Sequence, residues 1–104
     1  MGQRRYIVKT LPKYEENLEK AIYYISDVLQ NQTAADKLND DIQRAIEKRS
    51  KYPLIVRPYP SKKKRKVPFY PIYVRNYIVF YTIVGNIMEI QLLVYNKRNL
   101  DRIL

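Results

Sequence analysis

Residues 67–95 read VPFYPIYVRNYIVFYTIVGNIMEIQLLVY, and this stretch decides the fold. Three segments rich in aromatic and β-branched residues, Val67–Val74, Tyr77–Val84 and Ile87–Tyr95, are parted by Arg75-Asn76 and Gly85-Asn86. Such composition predicts strands, and two-residue breaks predict tight hairpins. Gly85-Asn86 is the stronger turn signal, because Gly and Asn accept positive φ. Ile72 and Val74 alternate with Tyr73 and Arg75. Tyr77–Val84 is apolar at both parities, which predicts a central strand buried on both faces. In the last segment Met88, Ile90, Leu92 and Val94 should share one face, and Glu89 and Gln91 the other.

Working outward, Tyr95-Asn96-Lys97-Arg98-Asn99 places two cations where the last strand should stop. Asn99–Leu104 reads as one helical turn docked by Leu100, Ile103 and Leu104. On the other side lies the run Lys62-Lys63-Lys64-Arg65-Lys66, read as a loop. Pro53, Pro58 and Pro60 keep the segment before it extended, as a surface connector. Tyr52-Pro53 ends a helix, because the residue before proline resists the α region.

Two helices precede that stop. Ala35, Leu38, Ile42, Ala45 and Ile46 form the apolar stripe of a helix over Ala34–Ser50, with Thr33-Ala-Ala-Asp36 as a capping-box-like start. Leu18, Ile22, Ile25 and Leu29 recur at helical spacing over Pro12–Gln30, with Thr10 as the cap. Arg5–Lys9 alternates as a short, half-buried strand. Helices joined by so short a break lie antiparallel, and their stripes need a sheet to cover. The expected fold is therefore α+β: an N-terminal strand and an α-helical hairpin packed on a roughly four-stranded, mostly antiparallel sheet. Its core should include Leu18, Ile22, Ile25, Leu38, Ile42, Ile46, Val79, Ile90 and Leu92.

The chain has 104 residues, enough for a single domain over residues 1–104. No apolar run reaches the length of a membrane span, and the N-terminus has no apolar stretch of signal-peptide length, so a cytoplasmic protein with no membrane partner is expected. It holds no cysteine and no histidine. That excludes disulfides, thiolate chemistry and the usual general base, and no metal or cofactor is expected. The net charge is +10, unevenly spread. Residues 1–50 carry nine Lys/Arg and eight Asp/Glu; residues 51–104 carry eleven and two. So lopsided a balance points to an anionic partner, nucleic acid or an acidic protein.

Lys51-Tyr-Pro53, Val74-Arg-Asn-Tyr-Ile-Val-Phe-Tyr81 and Leu93-Val-Tyr-Asn-Lys-Arg-Asn99, closed by Ile103-Leu104, follow in an order and spacing that resemble the RelE/ParE superfamily. These are the toxins of type II toxin–antitoxin pairs, also called plasmid stabilisation proteins, and the resemblance covers nearly the whole chain. It implies a toxin silenced by an antitoxin that wraps it. RelE-like members cut messenger RNA on the ribosome, and ParE-like members poison DNA gyrase. The partners implied are thus an acidic antitoxin and either the ribosome with mRNA or DNA gyrase, with no small-molecule substrate. If the chain is an enzyme, it is a ribosome-dependent mRNA endoribonuclease.

By its motif Arg98 matches the basic residue that RelE-like enzymes place after the final strand, with Lys97 beside it. An Arg there can hold a phosphate through two hydrogen bonds and offset charge growing on it. Arg75 is the nearest further cation, and Tyr95 or Tyr73 could stack a base or donate a proton. Lys62, Lys63, Lys64, Arg65 and Lys66 could track a nucleic-acid backbone. Each has a plainer reading. Arg98 could pair with Asp101, the loop could simply be solvated, and strand tyrosines commonly just pack. The chain also departs from the RelE-like pattern. It has Ile78 after Tyr77 where those nucleases carry an Arg, and it lacks their paired lysines on the preceding strand. No residue is an obvious base. Two other classes stay open: a non-toxic basic nucleic-acid-binding module, and a structural subunit whose basic face docks an acidic partner.

Overall fold

The computed structural model describes residues 6–60 and 65–96. Lys62, Lys63, Lys64, Lys97, Arg98 and the expected turn over Asn99–Leu104 lie outside the described residues. The elements are β1 (Ile7–Thr10), α1 (Pro12–Tyr23), a π-helical turn (Tyr24–Val28), α2 (Gln32–Ser50), β2 (Tyr70–Val74), β3 (Tyr77–Val84) and β4 (Ile87–Tyr95). They build one four-stranded sheet of order β1-β4-β3-β2. β1 runs parallel to β4, and the other two pairings are antiparallel. The α+β arrangement expected from the sequence is the observed one.

Both hairpins form at the expected breaks. Their first central residues, Arg75 and Gly85, take φ of 55° and 62°. A two-residue hairpin turn demands positive φ there to match the twist of its strands. β3 is the central strand, and Ile78, Val79, Phe80, Tyr81 and Thr82 are all buried.

The helices cover one face of the sheet. Tyr14 of α1 and Leu38, Ile42 and Ile46 of α2 pack on Ile72, Val74, Val79, Tyr81, Met88, Ile90 and Leu93. Leu18, Ile22 and Ile25 are only partly buried against this cluster. Leu29, expected on the same stripe, is 55% exposed. The π turn explains the break. Its bond from Leu29 N–H to the Tyr24 carbonyl spans five residues and rotates the next residues off the regular stripe. Gln30 then takes φ of 52°, and Asn31, not Thr33, caps α2 by accepting the Ala34 N–H at 3.0 Å. α2 accordingly starts two residues earlier than expected. Thr10 does not cap α1 either. The cap position is Leu11, and the Thr10 hydroxyl donates to Glu15 Oε2 at 2.7 Å.

The other face carries a smaller core. Ile78, Phe80 and Val94 pack with Leu92, Tyr59 and Phe69. The Tyr59 ring meets Phe80 edge-on at 5.1 Å, and the Tyr59 N–H donates to the Phe69 carbonyl at 2.7 Å. The proline-rich segment expected as a surface connector is thus partly a cover for this face, and Pro53 within it is fully buried.

The expected face of β4 is corrected by a bulge. Phe80 pairs with Leu92, but Tyr81 pairs with Ile90, which leaves Gln91 as an extra residue. A bulged residue reverses the parity of the strand beyond it. Met88, Ile90 and Leu93 therefore face the helices, while Leu92 and Val94 face away. Gln91 Nε2 donates to the Thr82 hydroxyl at 3.0 Å. β1 is also less buried than expected. All four of its residues are exposed, because it is an edge strand that only β4 partners.

Candidate functional site

The register of the sheet places the sequence candidates. Tyr77 pairs with both Val74 and Tyr95, and these three point to the helix face. Tyr73 pairs with Ile78, and Ile78 with Val94, on the opposite face. Tyr95 and Tyr73 therefore stand on opposite sides of the sheet.

On the helix side, the Tyr77 and Tyr95 rings stack at 5.5 Å. Burial pushes the Tyr77 hydroxyl above its ordinary pKa, and the hydroxyls of Tyr95 and Tyr24 add to the rise. Tyr77 stays neutral at physiological pH: it can donate a hydrogen bond and cannot act as a base. Tyr95 is 37% exposed, enough to offer a ring edge to a partner. The Asn96 N–H next to it donates to the Asn76 carbonyl at 2.7 Å, which fixes where the chain leaves the sheet toward Lys97 and Arg98.

On the far side, Tyr73 is 61% exposed. Arg65 lies 4.3 Å over the Phe69 ring, an attraction between cation and π face. It thereby joins the same side as Tyr73. Lys66 is exposed. Arg75 belongs to neither group. Its Nε donates to Asp41 Oδ2 of α2 at 2.8 Å. Among the described residues no three of His, Cys, Asp and Glu stand together as a metal site would need. Glu89, the carboxylate within the strands, pairs with Lys9.

A further site had no place among the sequence candidates. A cavity of about 460 Å³ opens at the end of α2, lined by Ala45, Lys48, Arg49, Lys51, Tyr52, Ile55 and Ile72. Its framework is a three-way clamp. Arg49 donates to the Pro71 carbonyl at 2.8 Å and to the Tyr81 hydroxyl at 3.1 Å. Tyr81 in turn donates to the Pro53 carbonyl at 2.5 Å. Burial raises the Tyr81 pKa, and the Arg49 bond opposes the rise. The clamp ties α2, the segment after it and β2 to the central strand. Around it Tyr52, Leu54 and Ile55 expose large apolar surface. The signal in the sequence was Tyr52, Leu54 and Ile55 flanking Pro53. They have no periodicity, so nothing assigned them to a core.

No curated protein matches this sequence. A solved structure described as a chromosomal ParDE TA system from P. aeruginosa superimposes with a TM-score of 0.69 at 18% identity, over 88% of this chain and 97% of that one. At that identity the likeness shows a shared fold. The family model for the ParE toxin of type II toxin–antitoxin systems, parDE, matches residues 8–99. That span takes in β1, both helices, the meander and the basic motif after β4, so the chain belongs to the ParE toxin family of type II toxin–antitoxin systems.

Proposed function

We propose that this toxin arrests growth by binding DNA gyrase and does not cut RNA, and that an acidic antitoxin silences it. The observation that carries this reading is the separation of Tyr73 from Tyr95 by the thickness of the sheet. Cleavage at a 2′-hydroxyl needs a base, an acid and cations converging on one phosphate. Of the candidates on described residues, the two tyrosines diverge and Arg75 is bound to Asp41. Glu89 sits opposite Lys9. A tyrosine base would need a pKa well below about 10, whereas burial moves Tyr77 the other way. Binding a protein target needs none of this convergence. Tyr95, Lys97 and Arg98, consecutive but for Asn96, then act as contacts, Arg98 through a guanidinium suited to binding a carboxylate of the target by two parallel hydrogen bonds.

The test expresses the protein in a bacterial host with an inducible promoter. Primer extension on messenger RNA from the arrested cells is run beside a gyrase supercoiling assay. Intact transcripts with inhibited supercoiling are expected, and Arg98→Ala should relieve the arrest. Codon-phased cuts with unaffected gyrase would replace this reading by ribosome-dependent cleavage.

A further inference from the structure

The π turn leaves an apolar patch where the first helical segment ends. Tyr23, Tyr24, Val28 and Leu29 are each more than half exposed. Val28 and Leu29 follow Tyr24 by four and five positions, which makes them its neighbours on a turn closed by the bond from Leu29 N–H to the Tyr24 carbonyl. A regular helix would have carried Leu29 into the stripe of Leu18, Ile22 and Ile25. The π turn exposes it instead, and such turns are frequent at functional sites.

The patch stands apart in charge. From Ala21 to Asp36 the chain has no Lys or Arg, although it holds 20 in all. Lys20, which precedes this segment, is paired with Glu16 at 3.0 Å. Asp27 is the charged residue of the π turn, and the Ser26 hydroxyl donates to it at 2.6 Å. An acidic antitoxin, whose carboxylates seek cations, finds none within this segment.

The patch is also too small to hold a partner by itself. Two tyrosines and two aliphatic side chains, about half uncovered, present roughly 400 Å², against about 800 Å² per side in a stable interface. The tyrosine stack extends it. The Tyr24 hydroxyl lies near enough to Tyr77 to raise its pKa, and the Tyr77 ring stacks on Tyr95 at 5.5 Å. Tyr95 is partly exposed, and Lys97 and Arg98 follow it in the chain. A partner covering this surface needs an apolar recess and carboxylates beside it. A second copy of the chain is opposed by the net charge of +10 on each.

We propose that Tyr23, Tyr24, Val28 and Leu29 form the apolar centre of the surface that binds gyrase, continuous with Tyr95, and that they enter an apolar recess of gyrase flanked by carboxylates. The inference deepens the gyrase reading and rests on it. Buried tyrosines near the centre of an interface carry much of its binding energy, whereas cations at its rim steer the encounter.

The experiment follows supercoiling by purified gyrase against toxin concentration, beside calorimetric titration with the antitoxin encoded next to the toxin. Tyr23→Ser combined with Leu29→Ser removes apolar surface without changing charge. The double variant should need roughly tenfold more toxin or greater for half inhibition, while its antitoxin affinity shifts by about twofold at most. Val84→Ser, at an exposed apolar position in the second hairpin, should leave inhibition unchanged. A photoreactive amino acid placed at Leu29 should cross-link to a gyrase subunit, and one placed at Val84 should not; this readout does not depend on the stability of the double variant. The proposal is overturned by full inhibition from the double variant, or by an equal loss with Val84→Ser. A loss of antitoxin affinity as large as the loss of inhibition overturns it in favour of the antitoxin. A toxin dimer in sedimentation that the double variant dissolves, with inhibition intact, overturns it in favour of a second copy. If the unaltered toxin leaves supercoiling untouched, the gyrase reading fails and the patch with it, whereas inhibition without a cross-link from Leu29 sinks the patch alone.

Discussion

Arg75 and Asp41 join the first hairpin turn of the meander to the middle of α2. Nε donates to Oδ2 at 2.8 Å, and a terminal nitrogen of the same guanidinium lies 2.7 Å from that oxygen. Both side chains are partly exposed, so the pair is worth about 0.5–1 kcal/mol. A double-mutant cycle with Arg75→Ala and Asp41→Ala, read by urea unfolding, should return a coupling of that size. The same variants separate structure from target contact. If Arg75 only holds the turn, both variants should lower toxicity equally; a larger loss from Arg75→Ala would mark a contact with the target.

Tyr81 supplies a second test, of the clamp. Tyr81→Phe leaves the Pro53 carbonyl without its donor and removes one of the acceptors of Arg49. The expected cost is about 1–3 kcal/mol at neutral pH, measured by thermal or urea unfolding. The pH dependence has a definite sign. Burial raises the folded-state pKa of Tyr14, Tyr77 and Tyr81 above the unfolded value. Their contribution is complete below the unfolded pKa of about 10 and is lost as pH rises through the folded values. The melting temperature should therefore fall on going above about pH 10, and less steeply in Tyr81→Phe.

Gln30 holds φ of 52° between the π turn and the cap of α2. A side chain there is strained, whereas glycine adopts the conformation freely. Gln30→Gly should stabilise the protein by about 0.5–1 kcal/mol in urea unfolding, and a β-branched residue at this position should destabilise it.

Deleting Gln91 should be tolerated, although it shortens a central-sheet strand. Gln91 is the extra residue of the bulge, and its removal leaves Ile90 facing the helices and Leu92 facing away, as now. The cost should be about 1 kcal/mol, from the Thr82 hydroxyl losing its partner. Deleting Glu89 instead shifts Ile87 and Met88 by one position against β3 and moves the Met88 side chain out of the core. That variant should not fold, as judged by circular dichroism.

The division between sequence and structure follows the range over which each signal acts. Periodicity, turn residues and helix stops are local. They identified both helices, the meander with its two hairpins, the buried central strand and the α+β class. The pairing of β1 with β4 is not local, and its alternation alone misjudged how deeply it is buried. The π turn was also hidden, because helical spacing continues to look regular in the sequence through Leu29.

The site was less open to reading, for the same reason. Strand parity holds only until the first unpaired residue. Gln91 is unpaired because of how β4 meets β3, so the faces of Leu92 and Val94 were settled by tertiary pairing. Tyr73 and Tyr95 are 22 positions apart along the chain, and only the cross-strand register showed that the sheet lies between them. Arg75 looked like a free cation until folding brought Asp41 of α2 beside it. Nothing in the sequence singled out Arg49, whose partners Pro71 and Tyr81 lie 22 and 32 positions away along the chain. The sequence by itself determined the elements, their order and the excess of positive charge in the second half. Only the tertiary structure decided which of those charges are held by partners within the fold, because a side chain's partner is chosen by proximity in space.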